Sequence, residues 1–194
     1  MMYRIEKVLN HNTVIAIHQD DHKEVLIMGK GVGFGRKVAE RIDVRPEDRL
    51  YSLQKYKERG GAKEIVKSIA PEFLELTNAV LNEAEKVFGK IDRMVLFPLA
   101  DHIAFAVKRI QNHEQISNPL TEDIRVLFHM EFKVAESIRP LLKKQFQIDI
   151  EDDEIGYVAL HIHSAIEDEK VSQAMQMARS VRECISMVEE APAA

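Results

Sequence analysis

The stretch Gly29-Lys30-Gly31-Val32-Gly33-Phe34-Gly35-Arg36-Lys37 holds four of the eight glycines of the chain, one at every second position. If this stretch is an extended strand, its side chains alternate between two faces, so the glycines share one bare face and the residues between them share the other. A bare backbone permits close approach of a ligand, and cations beside an aromatic ring suit RNA. The spacing is equally compatible with a flexible glycine-rich loop that follows a strand.

The length and composition are those of a protein with a packed core. The chain has 194 residues, of which 45% are hydrophobic and 30% are charged, and this is enough for one or two domains. No apolar run approaches the roughly 20 residues that cross a bilayer, and the N-terminus lacks an apolar signal core. The single cysteine, Cys184, is interpreted as a small apolar side chain. We expect a cytoplasmic protein that needs no cofactor.

The charge of the chain is unevenly distributed. The net charge is −5, but residues 1–59 carry 12 Lys and Arg against 9 Asp and Glu, whereas the remainder is acidic. Six of those cations lie in or just after the glycine-rich stretch, at positions 30, 36, 37, 41, 45 and 49. A local basic patch of this kind is compatible with a polyanionic partner, and a solvated mixed-charge loop is the alternative.

The residues before position 60 have the pattern of β-structure. Short strands are predicted at 3–9, 13–18, 24–30 and 49–54, separated by polar turns. Four such strands predict a small antiparallel sheet that buries little apolar area alone, so dimerisation would supply the missing core. The glycine pair at 60–61 then predicts a linker.

From about residue 65 the apolar residues recur with a helical period. Helices are predicted around 73–87 and 96–110, across 121–146, from 152 to 166 and from 171 to 188. Pro140 is expected to kink or split the third of these regions. The predicted fold class is therefore α+β with several domains, in which a small four-stranded antiparallel sheet precedes an all-α helical bundle.

Two histidines, His102 and His161, lie on the apolar stripes of separate predicted helices. Each is either a core-edge histidine satisfied by a hydrogen bond or a phosphoryl acceptor, because imidazole is nucleophilic near neutral pH. His161 and His163 are two positions apart on a helix, so they cannot hold one metal ion together. The sequence shows no cysteine cluster, nucleophile elbow, Walker loop or dinucleotide fingerprint, and we predict no catalytic or metal site.

Four segments occur in an order and spacing that resemble a known family: IEKVLNHN at 5–12, VLIMGKGVGF at 25–34, ADHIAFA at 100–106 and EIGYVALHI at 154–162. Together they resemble the BglG/SacY family of bacterial transcriptional antiterminators, closest to the branch that controls glucose uptake genes. The resemblance implies a dimeric RNA-binding domain followed by helical regulation domains. It also implies that the dimer holds a leader-transcript hairpin against terminator formation, and that the sugar phosphotransferase system (PTS) phosphorylates histidines of the regulation domains.

The resemblance assigns roles to individual residues by motif position. It implies RNA contacts at Lys7, Asn12, Gly29, Lys30 and Phe34, with Arg36 and Lys37 as phosphate contacts. It implies phosphorylation at His102 and His161, with Asp101 orienting His102 and with a structural role for His163. Family members commonly have arginine where Lys30 stands, and lysine lacks the planar fork of arginine.

The domain boundaries implied by the resemblance are 1–59 for the RNA-binding domain, 60–66 for a linker and 67–167 for a PTS regulation domain. Residues 168–194 are expected to form a C-terminal helix that starts a second regulation domain. The implied partners are a leader RNA hairpin, a second copy of the chain and PTS proteins, namely a sugar permease component with HPr as a further candidate. Neither DNA binding nor membrane insertion is expected. The alternative function is a phosphohistidine sensor or relay that binds no RNA.

Overall fold

The computed structural model describes residues 2–54, 61–114, 116–167 and 169–189. The chain divides into two compact units, Met1–Glu75 and Leu76–Ala194. An antiparallel sheet in the first unit and helices in the second confirm the predicted α+β fold class. None of the described helices combines the length and the hydropathy that crossing a membrane requires.

The N-terminal unit contains a five-stranded antiparallel sheet. Its strands are β1 (Met2–Asn10), β2 (Thr13–His18), β3 (Glu24–Met28), β4 (Arg41–Asp43) and β5 (Arg49–Ser52), in the spatial order β4-β1-β2-β3-β5. The four predicted strands correspond to β1, β2, β3 and β5. The additional strand, β4, has only three residues, which are too few for an alternating apolar pattern to reveal it.

One face of this sheet carries a compact apolar core. Side chains from β1 to β4 and from the glycine-rich stretch form it: Tyr3, Ile5, Val14, Ala16, Ile27, Val32 and Ile42. The members on β1 stand two residues apart, as the pleat of a strand requires. Val32 is the member that ties the glycine-rich stretch to the sheet, since it is 5% exposed.

The glycine-rich stretch is a series of turns, so the prediction of an extended strand with one bare face is wrong and the loop alternative is right. Strand β3 ends at Met28, and the amides that follow donate to carbonyls three residues earlier: Val32 to Gly29, Phe34 to Gly31 and Arg36 to Gly33. Gly31 and Gly35 have φ values of +72° and +66°, which L-residues rarely adopt and which turn the chain back. Val32 is therefore buried while Phe34 is exposed.

The helices of the chain begin at residue 61. They are α1 (Gly61–Ser68), α2 (Pro71–Phe88), α3 (Leu96–Gln111), α4 (Thr121–Leu127), α5 (His129–Ala135), α6 (Ile138–Phe146), α7 (Asp152–Glu167) and α8 (Val171–Glu189). A short 3-10 turn, Arg93–Val95, precedes α3. Residues 61–66 of the predicted linker are thus helical, while residue 60 lies outside the described residues.

The region 121–146 is divided at two places, and the second lies just before Pro140. One break lies at Phe128, between α4 and α5, and the next lies at Glu136 and Ser137. Pro140 stands in the first turn of α6, one turn after the second break, and a proline at this position removes the hydrogen bond to the carbonyl four residues earlier, at Glu136. The expectation that Pro140 splits this region is therefore confirmed at Glu136 and Ser137, whereas the break at Phe128 was not predicted.

Helix α7 lies at the centre of the C-terminal unit. It packs against α3, α4, α5 and α8. Its buried residues include the predicted stripe positions Ile155, Val158, Ala159 and Ile162. On α8, Ala174 and Ala178 are fully buried, and small side chains at these positions permit close approach of the helices.

We predict that Gly33→Ala destabilises the N-terminal unit by about 3 kcal/mol, as expected for severe overpacking. A Cβ at Gly33 would lie 2.2 Å from the backbone oxygen of Asn10, which cannot move without distorting the turn between β1 and β2. Urea denaturation followed by circular dichroism measures the change.

Gly31→Ala is the matched control, because no atom lies within 4 Å of a Cβ at that position. Its cost arises only from the left-handed φ and should be about 1 kcal/mol. Equal destabilisation by the two variants would contradict the steric account.

Candidate nucleic-acid interface and histidine site

Two turns at one end of the sheet dock on each other and form a single surface, here called the turn platform (residues 10–12 and 29–35). The pairing of Thr13 with Met28 brings the turns together. Three hydrogen bonds join them: Gly29 N–H to Asn12 O, Gly33 N–H to His11 O and Gly31 N–H to Asn12 Oδ1, each 2.9 Å. The platform is therefore ordered by its own backbone.

An ion pair between Arg45 and Asp48 stabilises the platform at Gly29 and Lys30. A Cβ on Gly29 would lie 1.8 Å from Asp48 Oδ1, so the space beside Gly29 is taken by the buried Asp48 carboxylate. Arg45 Nη2 donates to Asp48 Oδ1 at 2.7 Å and to the backbone oxygen of Lys30 at 2.8 Å. The absence of a side chain at Gly29 thus leaves room for the Asp48 carboxylate. No motif in the sequence marked Arg45 or Asp48.

The platform presents an aromatic surface to solvent. Phe34 is 68% exposed, and its ring meets the exposed His11 ring edge-on with 5.2 Å between centroids. Phe34 belongs to the predicted site, whereas His11 was missed although it lies within the segment 5–12. An exposed pair of rings on an ordered support can stack on unpaired bases.

The predicted cations lie on and beside the platform. Lys7 and Lys30 are exposed, as are Arg36 and Lys37, and Arg36 is 3.7 Å from Glu40. The backbone of Ile5 bonds to Ala39 and Glu40, which holds the segment after Arg36 against β1 two residues before Lys7. The structure therefore brings Asn12, Gly29, Lys30 and Phe34 onto one platform and sets the other three predicted contacts along the neighbouring strand.

The two predicted phosphorylation residues meet in the C-terminal unit. His102 lies on α3 and His161 on α7, with 5.5 Å between the centroids of their rings. The ring of Tyr157, one turn before His161 on α7, lies 5.6 Å from that of His102. The two imidazoles, one from each helix, thus lie side by side.

A buried carboxylate, Glu154, stands beside this pair. Glu154 is 4% exposed; its Oε2 lies 3.2 Å from His102 Nε2, and its Oε1 accepts a 2.6 Å hydrogen bond from Arg109 Nη2. Burial raises the pKa of Glu154, but the close approach of His102 and the hydrogen bond and charge of Arg109 hold that pKa below its ordinary value. Glu154 was quoted within a motif but not predicted as a site residue.

Glu154 takes the position that was expected for Asp101. Asp101 precedes His102 on α3, and successive residues of a helix point in different directions. The Asp101 side chain is exposed, whereas the Glu154 carboxylate touches the His102 ring. The expectation that Asp101 orients His102 is therefore replaced by a contact from α7.

His161 is held in the neutral form. Its Nδ1 is inaccessible to solvent and has no hydrogen-bond partner among the described atoms, although the residue as a whole keeps some exposure. Burial, followed by repulsion from His102, lowers the pKa of His161 to about 3. A neutral imidazole retains a nucleophilic lone pair, which is the form that accepts a phosphoryl group.

His163 belongs to a different environment from His161. Its Nδ1 lies 2.9 Å from Glu131 Oε1, and its ring is 4.2 Å from the ring of Phe128. This anchoring to α5 and to the break before it fits the structural role that was expected. Within the described ranges, no three potential ligands converge to hold a metal ion.

Two protein families match the chain, one in its first compact unit and one almost wholly in its second. Residues 3–60 match the family described as CAT RNA binding domain, and residues 75–165 match the family described as PRD domain. The first match spans the sheet and the turn platform. The second contains the histidine pair and Glu154.

Several curated proteins are similar to the chain, and two of the three described next are named as antiterminators. The chain is 33% identical over 171 residues to the "GlcA/glcB genes antiterminator" of Staphylococcus carnosus, a match that covers 86% of this chain and 58% of the relative. It is 28% identical to "Protein GlcT" of Staphylococcus epidermidis, covering 96% and 66%, and 27% identical to "Transcription antiterminator LicT" of Bacillus subtilis, covering 95% and 67%. The chain thus spans about three fifths to two thirds of the length of these relatives.

A solved structure supports the same relationship. The "Crystal structure of GlcT CAT-PRDI" matches with a TM-score of 0.72 and 30% sequence identity. The match covers 86% of this chain and 99% of that chain. The fold of the described sheet and helices is therefore shared with a solved relative.

We predict that His161 makes the stability of the C-terminal unit depend on pH. Its pKa of about 3 in the folded chain is below the ordinary value of 6.5, so between those values the unfolded chain binds a proton that the folded chain does not. The unfolding free energy should therefore fall as the pH falls below 6.5, by up to about 1.4 kcal/mol per pH unit.

His161→Gln should reduce the loss of unfolding free energy between pH 6.5 and about pH 5 by up to about 2 kcal/mol. Urea denaturation across that pH range measures this loss. The control His129→Gln removes an exposed histidine on α5 instead. If both variants show one and the same pH dependence, His161 is not the group responsible.

Proposed function

The chain belongs to the family of transcription antiterminators that carry a CAT RNA-binding domain followed by a PRD domain, and from this premise we propose that it binds a hairpin in a leader transcript. Bound protein would hold the hairpin in a form that prevents a terminator from forming, so that transcription continues. The observation that supports this proposal most directly is the turn platform, which presents the exposed Phe34 on a support ordered by three inter-turn hydrogen bonds.

The platform offers the two kinds of contact that RNA recognition needs. Phe34, with His11 at its edge, would stack on an unpaired base of the hairpin. Lys7 and Lys30 carry exposed ammonium groups that would meet phosphates, together with Arg36 and Lys37. Asn12 and Gly29 would complete the surface through the turn that they share. No enzymatic activity is proposed.

We propose that two copies of the chain act together on one hairpin. The N-terminal unit is near the size at which a domain is marginally stable alone, and the apolar cluster on one face of its sheet has seven buried members. Large apolar side chains of the same unit remain exposed, namely Met2, Val38 and Leu50. A second copy would cover such surface and would present a second platform to the RNA.

Regulation is proposed to act at the histidine pair. A PTS protein, a sugar permease component or HPr, would transfer a phosphoryl group to His102 or His161 in the cytoplasm. The group brings close to two negative charges at neutral pH. At His102 these charges would lie next to the ionised Glu154 carboxylate, so α3 and α7 would have to move apart or Glu154 would have to exchange partners. Such a change of packing is the means by which phosphorylation would alter activity.

The RNA-binding proposal predicts that Phe34→Ala weakens binding of a leader hairpin by about 5- to 150-fold, the range expected for loss of one stacking contact. A gel-shift titration at fixed salt concentration measures this effect. Phe105→Ala is the matched control, because Phe105 is also an exposed phenylalanine, at 61%, but lies on α3. Wild-type affinity in the Phe34 variant would refute the assignment of the platform.

The regulatory proposal predicts acid-labile phosphate on the histidine pair after incubation with the general PTS proteins and labelled phosphoenolpyruvate. The label should disappear in the double variant His102→Ala with His161→Ala and should persist in His129→Ala. In a reporter strain, His102→Ala should release antitermination from sugar control, and His102→Asp should lower it.

These measurements also separate the two candidate functions. Labelling without any binding to a leader hairpin would favour the phosphohistidine sensor or relay. An unlabelled wild-type chain would contradict regulation at this pair.

A further inference from the structure

A second cationic feature lies in the N-terminal unit, at the end of the sheet away from the turn platform. It is an open cleft of about 540 Å³, here called the arginine cleft, whose polar lining comes from Arg4, His18, Gln19, His22 and Arg41. Arg4 stands near the start of β1, whereas the platform follows the end of that strand. None of these five residues belongs to the proposed RNA contacts.

The two arginines of the cleft occupy an unfavourable arrangement. Arg4 on β1 and Arg41 on β4 are direct partners across the two strands, and both are exposed. Like charges directly opposite each other destabilise a sheet. Among the residues that the structure describes, neither guanidinium has an ion pair or a side-chain hydrogen bond. The pair thus places two exposed positive charges side by side on adjacent strands.

The carboxylates near the cleft pair with His18 at its rim, with Lys23 or with Arg36, and none of these contacts involves Arg4 or Arg41. Asp21 lies 2.7 Å from Lys23 Nζ and 2.8 Å from His18 Nδ1. Asp20 is 3.9 Å from His18 Nε2, but its side chain is 92% exposed. Glu40, which precedes Arg41, is 3.7 Å from Arg36. The charge of the arginine pair is therefore available to a ligand.

The turn between β2 and β3 adds two imidazoles at the rim. Asp21 holds the His18 ring, which also rests 5.0 Å from the ring of Tyr3. His22 is held at the cleft by a left-handed backbone, with φ of +54° and its N–H donating to the oxygen of His18. A turn fixed in this way keeps both rings beside the arginine pair.

We propose that the arginine cleft is a binding site for a phosphate group, held between the guanidinium groups of Arg4 and Arg41 with His18 and His22 at its rim. Two guanidinium groups present planar forks of N–H donors, which suit the oxygens of a phosphate. A bound phosphate also removes the repulsion between the two strands. The phosphate belongs either to the RNA backbone beyond the hairpin or to a small phosphorylated compound, and both sources share this chemistry.

The first arm of the test uses inorganic phosphate and the whole chain. Phosphate is titrated against sodium chloride of equal ionic strength, while the melting temperature and the imidazole NMR signals of His18 and His22 are followed. We expect both signals to shift saturably and the melting temperature to rise with phosphate only. The double variant Arg4→Gln with Arg41→Gln should lose these responses.

The control variant, Arg49→Gln with Lys67→Gln, removes two positive charges elsewhere in the same unit, on β5 and α1, and should keep the responses. In chloride alone the arginine-cleft variant should melt no lower than the wild type, because it lacks the repulsive pair. That result separates loss of a site from loss of folding. Three outcomes would overturn the proposal. The wild type does not respond to phosphate, chloride produces the same response as phosphate, or the arginine-cleft variant still responds.

The second arm identifies the source of the phosphate and is the only part that rests on the proposed RNA binding. Hairpins with and without single-stranded extensions are compared by gel shift. If the extension strengthens binding to the wild type but not to the arginine-cleft variant, the phosphate belongs to RNA. If the extension has no effect while the phosphate titration succeeds, the ligand is a small phosphorylated compound. Failure of all RNA binding leaves the phosphate titration as an independent result.

Discussion

The close approach of two backbone turns is the constraint on which the N-terminal unit depends. Gly33 lies so near the carbonyl of Asn10 that no side chain fits between them, and this contact locks the glycine-rich stretch onto the turn between β1 and β2. Val32 is then directed into the apolar core and Phe34 into solvent. The exposure of an aromatic ring, which costs free energy in water, is thus imposed by the fold and is not an accident of a mobile loop.

Two different structural requirements account for the four glycines of the stretch. Gly31 and Gly35 supply left-handed backbone, whereas Gly29 and Gly33 leave room for the Asp48 carboxylate and the Asn10 carbonyl. The pattern in the sequence is identical for both pairs, because absence of a side chain serves either purpose. This explains why the alternating glycines were compatible both with a strand that has a bare face and with a loop, and why the structure shows a series of turns.

Local patterns in the sequence predicted the order of sheet and helices, four of the five strands and the two histidines that the structure places together. Contacts between distant residues were not predictable in this way. Glu154 reaches His102 from another helix, and Arg45 reaches the oxygen of Lys30 from beyond β4, so no spacing rule reveals either. Pro140 marked the break at Glu136 and Ser137, but no proline or glycine marked the break at Phe128. The histidine pair shows what these distant contacts add: an ionised carboxylate and a neutral imidazole stand side by side, each fixed in its charge state by its neighbours.

The short outer strands of the sheet have a consequence for how chains meet during synthesis. An edge strand offers unpaired N–H and C=O groups to any other extended chain, and long apolar edges promote aggregation. Here the edges are β4, with three residues, and β5, with four, and each carries an exposed arginine, Arg41 and Arg49. Strands this short and charged are poor templates for adding a further strand. Nascent copies emerging from neighbouring ribosomes on one message are thereby steered away from edge-to-edge pairing.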